Sequence, residues 1–266
     1  MKTDIFTALR KSAEEKFLKV NSALLRSRSP KASHKLREVR KTEKTANLAP
    51  MDNGLWRFSR SIEALSIFSA SCLHKERKSG HVKECTHYME VASYAVAYGK
   101  HLGLPDDVIA FAAYAHDISE DNRKITPEMI VEKCWKGDEI YIPLLIAVLT
   151  RITDDPKLHG QDRLNDQILQ ANKDSYMASR LTALVRWADK YCTLLRDSQT
   201  LEMGQMPLGS FKKFSANYKS RKKVVLKLNI PKELKKHHIN LVRKVEHVLE
   251  KRGFIPSKRR SFFFPV

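Results

Sequence analysis

The chain has 266 residues, is 42% hydrophobic and carries a formal net charge of +19. That length and apolar content suit one large domain with extensions and exclude a globally disordered chain. Four cysteines (Cys72, Cys85, Cys134, Cys192) form no C-x-x-C pair, which argues against a disulfide scaffold or a zinc ribbon and fits a reducing cytoplasm. No apolar run reaches membrane-spanning length, and the opening MKTDIFTALRKSAEEKF lacks the unbroken apolar stretch of a secretory signal. The expectation is a soluble cytoplasmic protein.

The charge is unevenly spread. Residues 1–50 carry +8 and residues 211–266 carry +14, leaving −3 for residues 51–210. Basic ends around a slightly acidic centre fit a carboxylate-rich site with flanks that meet something else, such as nucleic acid or an anionic surface.

In chain order, residues 1–24 have a helical apolar rhythm (Ile5, Leu9, Phe17, Val20, Leu24). Residues 25–54 are rich in Ser, Lys and Arg and lose periodicity, which marks a linker. Helical segments are predicted over roughly 56–75, 85–103, 106–118, 127–135, 140–151, 161–171 and 176–199, with Gly103-Leu-Pro105 a stop and restart. Val224-Val225-Leu226 suits a strand or a helix. A further amphipathic helix is predicted over 231–251, ended by Gly253, before the basic-aromatic tail of residues 257–266. Alternating β-branched strands joined by hairpin turns are otherwise absent. The expected fold is an all-α bundle, with 1–54 a basic helix and linker, 55–255 the domain and 256–266 a tail.

The chemistry concentrates in residues 114–121, Tyr-Ala-His-Asp-Ile-Ser-Glu-Asp. An apolar helical run leads into His116-Asp117, and Glu120-Asp121 follow one helical turn on. Burying four such groups is costly without compensation, and a divalent cation is the usual one. One His and one carboxylate leave most of the coordination open. His87, at the start of an amphipathic helix, and Asp189, inside the apolar Leu184-Val-Arg-Trp-Ala-Asp-Lys, are the candidates to complete it. Two His and two carboxylates suit Mn²⁺ or Fe²⁺ better than structural zinc.

The order His87, His116-Asp117, Asp189 resembles the HD superfamily of metal-dependent phosphohydrolases. The surroundings resemble its alarmone branch, the (p)ppGpp hydrolase domain of RelA/SpoT-type proteins and its small stand-alone members. Arg77-Lys78-Ser79-Gly80 is similar to that family's R-K-S-G, with one extra residue before His87. His116-Asp-Ile-Ser-Glu-Asp121 matches H-D-x-x-E-D, Thr153-Asp-Asp155 lies in a similar segment, and Ala188-Asp189-Lys190 matches A-D-K.

The resemblance implies an HD helical bundle and Mn²⁺-dependent removal of the 3′-pyrophosphate of ppGpp or pppGpp. It implies that Glu120 acts on the attacking water with Asp121 orienting it, and that Arg77 and Lys78 face the phosphates. Arg163 falls on the segment closing the pocket. Lys213 and Tyr218 align loosely with a family Arg and Tyr that touch phosphate and base. Thr193 stands where the family has Asn, and Leu195-Arg196 also departs from its pattern, so nucleoside recognition is open. Two other readings stay beside this one: an HD phosphohydrolase acting on another nucleotide, such as the 2′-phosphate of NADPH, and a polyanion-binding protein on an HD scaffold.

Overall fold

A computed structural model describes residues 59–72, 78–79, 82–204 and 208–251, with backbone alone for residues 72, 78–79, 82–85, 208–213 and 215–217. The expected N-terminal helix and linker and the C-terminal tail lie outside the described residues. The rest is an all-α assembly around one core running from Ile62 to Leu249.

Helix α1 (Arg60–Cys72) is followed by a minimal antiparallel pair, β1 (Lys78–Ser79) and β2 (Val82–Lys83), which opens directly into α2 (Glu84–Gly99). A 3-10 turn, Lys100–Leu102, ends at Gly103, whose φ of 69° suits glycine. Pro105 then starts α3 (Asp106–Tyr114), with Asp106 and Asp107 favourably placed in its first turn. Short α4 (Ile118–Asp121) and α5 (Pro127–Cys134) follow, α5 capped by Thr126 Oγ1 accepting from the Met129 N–H at 3.3 Å. Helices α6 (Ile142–Ile152), α7 (Gly160–Ala171), α8 (Met177–Glu202), α9 (Leu208–Lys227) and α10 (Lys232–Lys251) complete the chain.

The helix predicted over 106–118 ends at Tyr114, and His116 and Asp117 occupy a turn before α4. The break lets Ile118 enter the core while the turn closes by Ile118 N–H donating to Ala115 O at 3.1 Å. Val224-Val225-Leu226 resolves as helix: Phe214, Tyr218, Val224 and Val225 are buried, and the intervening lysines face outward.

Helix α8 organises the packing. It contacts α2, α6, α7, α9 and α10, and its Trp187, wholly buried, donates from Nε1 to Leu234 O on α10 at 3.0 Å. Gly99 permits a close approach of α2. A Cβ there would meet Ile109 Cδ1 of α3 and Leu184 Cδ2 of α8, each at 2.9 Å. Helix α2 packs against α8, and His87 and Asp189 meet across that contact. Among the described residues no helix is long and apolar enough to cross a membrane.

His238 on α10 is fully buried, and neither ring nitrogen has a hydrogen-bond partner among the described residues. Burial first, then the cations Arg221, Lys190 and Lys222, push its pKa from the ordinary 6.5 down to about 4. Between those values the unfolded chain binds a proton that the folded chain refuses. Stability from this group is therefore complete above about pH 6.5 and is lost as pH falls toward 4. His238→Leu should remove that loss. Urea unfolding at neutral pH and at pH 5 should show the variant gaining on the parent protein upon acidification, and parallel curves would contradict this.

Candidate active site

Three separated segments supply the centre. His87 lies in the first turn of α2, His116 and Asp117 in the turn between α3 and α4, and Asp189 midway along α8. One donor atom from each of His87, His116 and Asp117 falls within a cluster no more than 4.8 Å across. Asp189 Oδ1 joins them, 3.3 Å from His87 Nε2 and 3.9 Å from His116 Nε2. Both histidines are buried, at 6% and 3% exposure, in a protein interior that offers them little water.

The second contacts of these side chains set their chemistry. His116 Nδ1 lies 2.8 Å from Ala113 O, so it carries a proton there and turns Nε2 into the cluster. Among the described residues Nε2 is buried without a hydrogen-bond partner of good geometry, although Asp117 Oδ2 is 3.1 Å away. Burial lowers the His116 pKa, but Asp117 and then Asp189 outweigh it and raise the value to about 9. Asp117 and Asp189 move the other way despite burial, Asp117 held down by His116, and Asp189 by Lys190, whose Nζ is 2.9 Å from Oδ2, and by the histidines. Thr193 Oγ1 steadies Asp189, donating to its carbonyl oxygen at 2.9 Å.

An orphaned imidazole nitrogen between two ionised carboxylates fits a divalent cation, which would compete for the position the proton takes. His87 is held differently. Arg196 Nη2 lies 3.0 Å from its Nδ1 and 2.7 Å from Glu90 Oε2, and because a guanidinium only donates, the His87 ring proton sits on Nε2, toward Asp189. Asp117 and Asp189 face the cluster as ligands already, whereas His116, protonated on Nδ1 toward Ala113, must release the Nε2 proton to a cation. His87 offers Nε2 to a cation in its other tautomer, with the ring proton on Nδ1.

Beside the cluster opens a pocket of about 230 Å³. Glu120, Arg163, Asp154 and Arg186 line it together with His116, Asp117 and Asp189. Glu120 Oε1 accepts from the backbone N–H of Asp154 at 2.9 Å, and Arg163 Nη2 stands 3.5 Å from Oε2. Burial, with repulsion from Asp154 and Asp117, raises the Glu120 pKa above the ordinary carboxylate value. Asp121 lies at the rim, where Tyr88 donates its phenolic hydrogen to Oδ2 at 2.9 Å. The arrangement can place a proton-accepting carboxylate in the same pocket as a cation-binding cluster.

Asp154 is the residue the sequence did not single out. It is 3% exposed, just beyond α6, and its carboxylate accepts from Arg186 Nη2 at 3.1 Å, Gln167 Nε2 at 2.6 Å and Arg163 Nε. Burial would raise its pKa, but Arg186, Arg163 and Gln167 hold it below the ordinary value. The only local signal was the Thr153-Asp-Asp155 segment, which does not say which aspartate turns inward.

The other expected residues are placed as follows. Arg77 lies outside the described residues, and Lys78 and Lys213 are described by backbone alone. Tyr218 is 1% exposed, stacked on Phe214 with ring centroids 5.6 Å apart, and does not line the pocket.

Removing Asp154 would leave Arg186, itself buried, with its charge unpaired. Asp154→Ala should therefore cost about 3–5 kcal/mol of folding stability. Urea denaturation checks this, and a loss below about 1 kcal/mol, the scale of a surface pair, would contradict it.

No family model and no curated protein matches this chain. The fold is similar to the solved structure of a metazoan ortholog of SpoT that hydrolyzes ppGpp and plays a role in starvation responses, with a TM-score of 0.50 and 22% sequence identity over 74% of this chain and 97% of that one. At that identity the likeness is one of architecture: the chain shares the all-α fold of that SpoT ortholog.

Proposed function

We propose that the chain is a divalent-cation-dependent hydrolase that removes the 3′-pyrophosphate of ppGpp or pppGpp, leaving GDP or GTP. The observation that carries this reading is the convergence of His87, His116, Asp117 and Asp189, the last three of which line the same pocket as Glu120. The H-D-x-x-E-D run and the fold shared with a ppGpp-hydrolysing SpoT ortholog support the substrate class.

Those four residues would hold the cation, and their mixed nitrogen and oxygen donors suit Mn²⁺. When bound, such an ion supplies positive charge to the phosphoryl oxygens and makes water more acidic. Glu120 is the general base in this scheme. Its Oε1 is fixed by the Asp154 N–H, leaving Oε2 to take a proton from the attacking water. Water oxygen bonds to the phosphorus, the bond from phosphorus to the ribose 3′-oxygen breaks, and Glu120 returns the proton to that oxygen.

Arg163, nearly half exposed, can leave Glu120 for a substrate phosphate as a planar two-pronged donor. Asp121 would orient the water, with Tyr88 fixing its carboxylate. Arg77, Lys78 and Lys213 are proposed phosphate contacts, and Thr193 would act through Asp189. Tyr218, being buried, would serve nucleoside recognition by shaping α9.

Incubation of the protein with Mn²⁺ and either ppGpp or NADPH, followed by chromatography, should yield GDP and pyrophosphate from ppGpp. Orthophosphate alone, or turnover of NADPH only, would overturn the assignment. Glu120→Gln should keep the fold and the bound Mn²⁺ yet turn over roughly 10²–10⁴-fold more slowly. Near-parental turnover would remove Glu120 from the mechanism.

A further inference from the structure

The basic character of the C-terminal third is not confined to the residues beyond the last helix. Helix α9 holds no carboxylate along its 20 residues, and much of its charge converges with that of α10 at one corner of the fold. That corner is a built feature. Asn172, just past α7, donates from Nδ2 to Lys227 O at 2.7 Å and accepts at Oδ1 from the Asn229 N–H at 2.8 Å. Across the same turn Lys235 Nζ donates to Leu226 O at 3.0 Å.

Around this knot Lys173, Lys223, Lys227, Lys232 and Lys236 are exposed, and none forms an ion pair among the described residues. The carboxylates nearest in sequence do little to neutralise them. Asp174 is engaged by Arg151 at 2.8 Å, which leaves Glu233.

Folding gives no reason for this crowding. The apolar faces of both helices turn inward through Val224 and Val225 on α9 and Leu234 on α10, so the lysines contribute no core. Lys232 and Lys235 also sit at the start of α10, where the helix dipole repels cations. Like charges held together at such a place are relieved by a polyanion.

The apolar residues nearby narrow the kind of polyanion. Tyr176, four residues past Asn172, is 74% exposed, which is unusual for a ring of its size. Leu226, at 40% exposure, is isolated among lysines, so the corner lacks the continuous apolar face that holds a helix in a lipid surface. Cations around the Asn172 knot, with an exposed aromatic ring four residues along the chain from it, are the elements of a single-strand nucleic-acid surface, charge for the backbone and a ring for a base. We propose that this corner binds single-stranded nucleic acid, the lysines taking phosphates and Tyr176 stacking on a base.

The test uses the full-length chain and a fluorescein-labelled oligouridine, with Kd read by anisotropy over a series of salt concentrations. The parent protein should bind with a steep salt dependence. The variant with Lys223→Gln, Lys227→Gln, Lys232→Gln and Lys236→Gln should bind more weakly, and its log Kd against log salt should flatten by about 2 to 3, since each lost phosphate contact removes roughly 0.7 from the slope. Tyr176→Ala should weaken binding roughly tenfold with the slope unchanged, because stacking carries no charge. Circular dichroism and Tm, unchanged in both variants, separate lost contacts from lost folding. Three results would overturn the proposal: no binding by the parent protein, parental affinity and slope in the fourfold variant, or binding to phosphatidylserine vesicles that excess oligouridine does not displace.

Discussion

The rest of the structure depends on the electrostatic problem at the junction of α2, α8 and the turn after α3. Two carboxylates and two imidazoles are brought there from positions about a hundred residues apart and largely removed from water. Isolated carboxylates in such surroundings would take up protons. Here they stay ionised because positive charge is present, on His116 and on Lys190. A proton on His116 is the least the site needs. A divalent ion satisfies the same demand with more charge and more ligands, and the Ala113 carbonyl has already fixed the His116 tautomer that ligation requires.

The second half of the pocket rests on Asp154, and relative exposure decides what its two arginines can do. Arg186 is 4% exposed and also donates to the Arg151 and Ile152 carbonyls, so it is a permanent partner that closes the end of α6. Arg163 is 48% exposed, shares the same carboxylate, and reaches Glu120 only at 3.5 Å. Breaking a contact of that kind costs little, whereas stripping Arg186 of its partner costs several kcal/mol. One buried carboxylate therefore holds one arginine for stability and another that can exchange partners. Its own backbone N–H meanwhile orients Glu120.

The sequence revealed those parts of the site that are local in the chain. His116-Asp117 and Glu120-Asp121 lie within six residues, and a carboxylate in the apolar run around Asp189 stands out without knowledge of its neighbours. The all-α organisation was equally legible, because the helices carry apolar periodicity and stop signals such as Gly103-Leu-Pro105. Other features depend on tertiary packing. The break at 115–117 comes from seating Ile118 in the core, which periodicity extends straight through. Asp154 pairs with residues 9 and 32 positions further on, and Arg196 reaches His87 across 109 positions. Helix α9 was obscured because its β-branched pair Val224-Val225 suits strand and helix alike, and only burial against its neighbours decides between them. Residues such as Tyr218, assigned by resemblance, were placed by packing in the interior instead of on the pocket wall.

The central claim is that the buried His and Asp cluster holds a divalent cation. Electron paramagnetic resonance of Mn²⁺ titrated into the full-length protein tests it most directly, with Asp189→Asn measured alongside as a folded, charge-depleted variant. The account predicts one tightly held Mn²⁺ per chain in the parent protein and a large loss of affinity in the variant. Equal Mn²⁺ binding by both, or none by the parent protein, would contradict it.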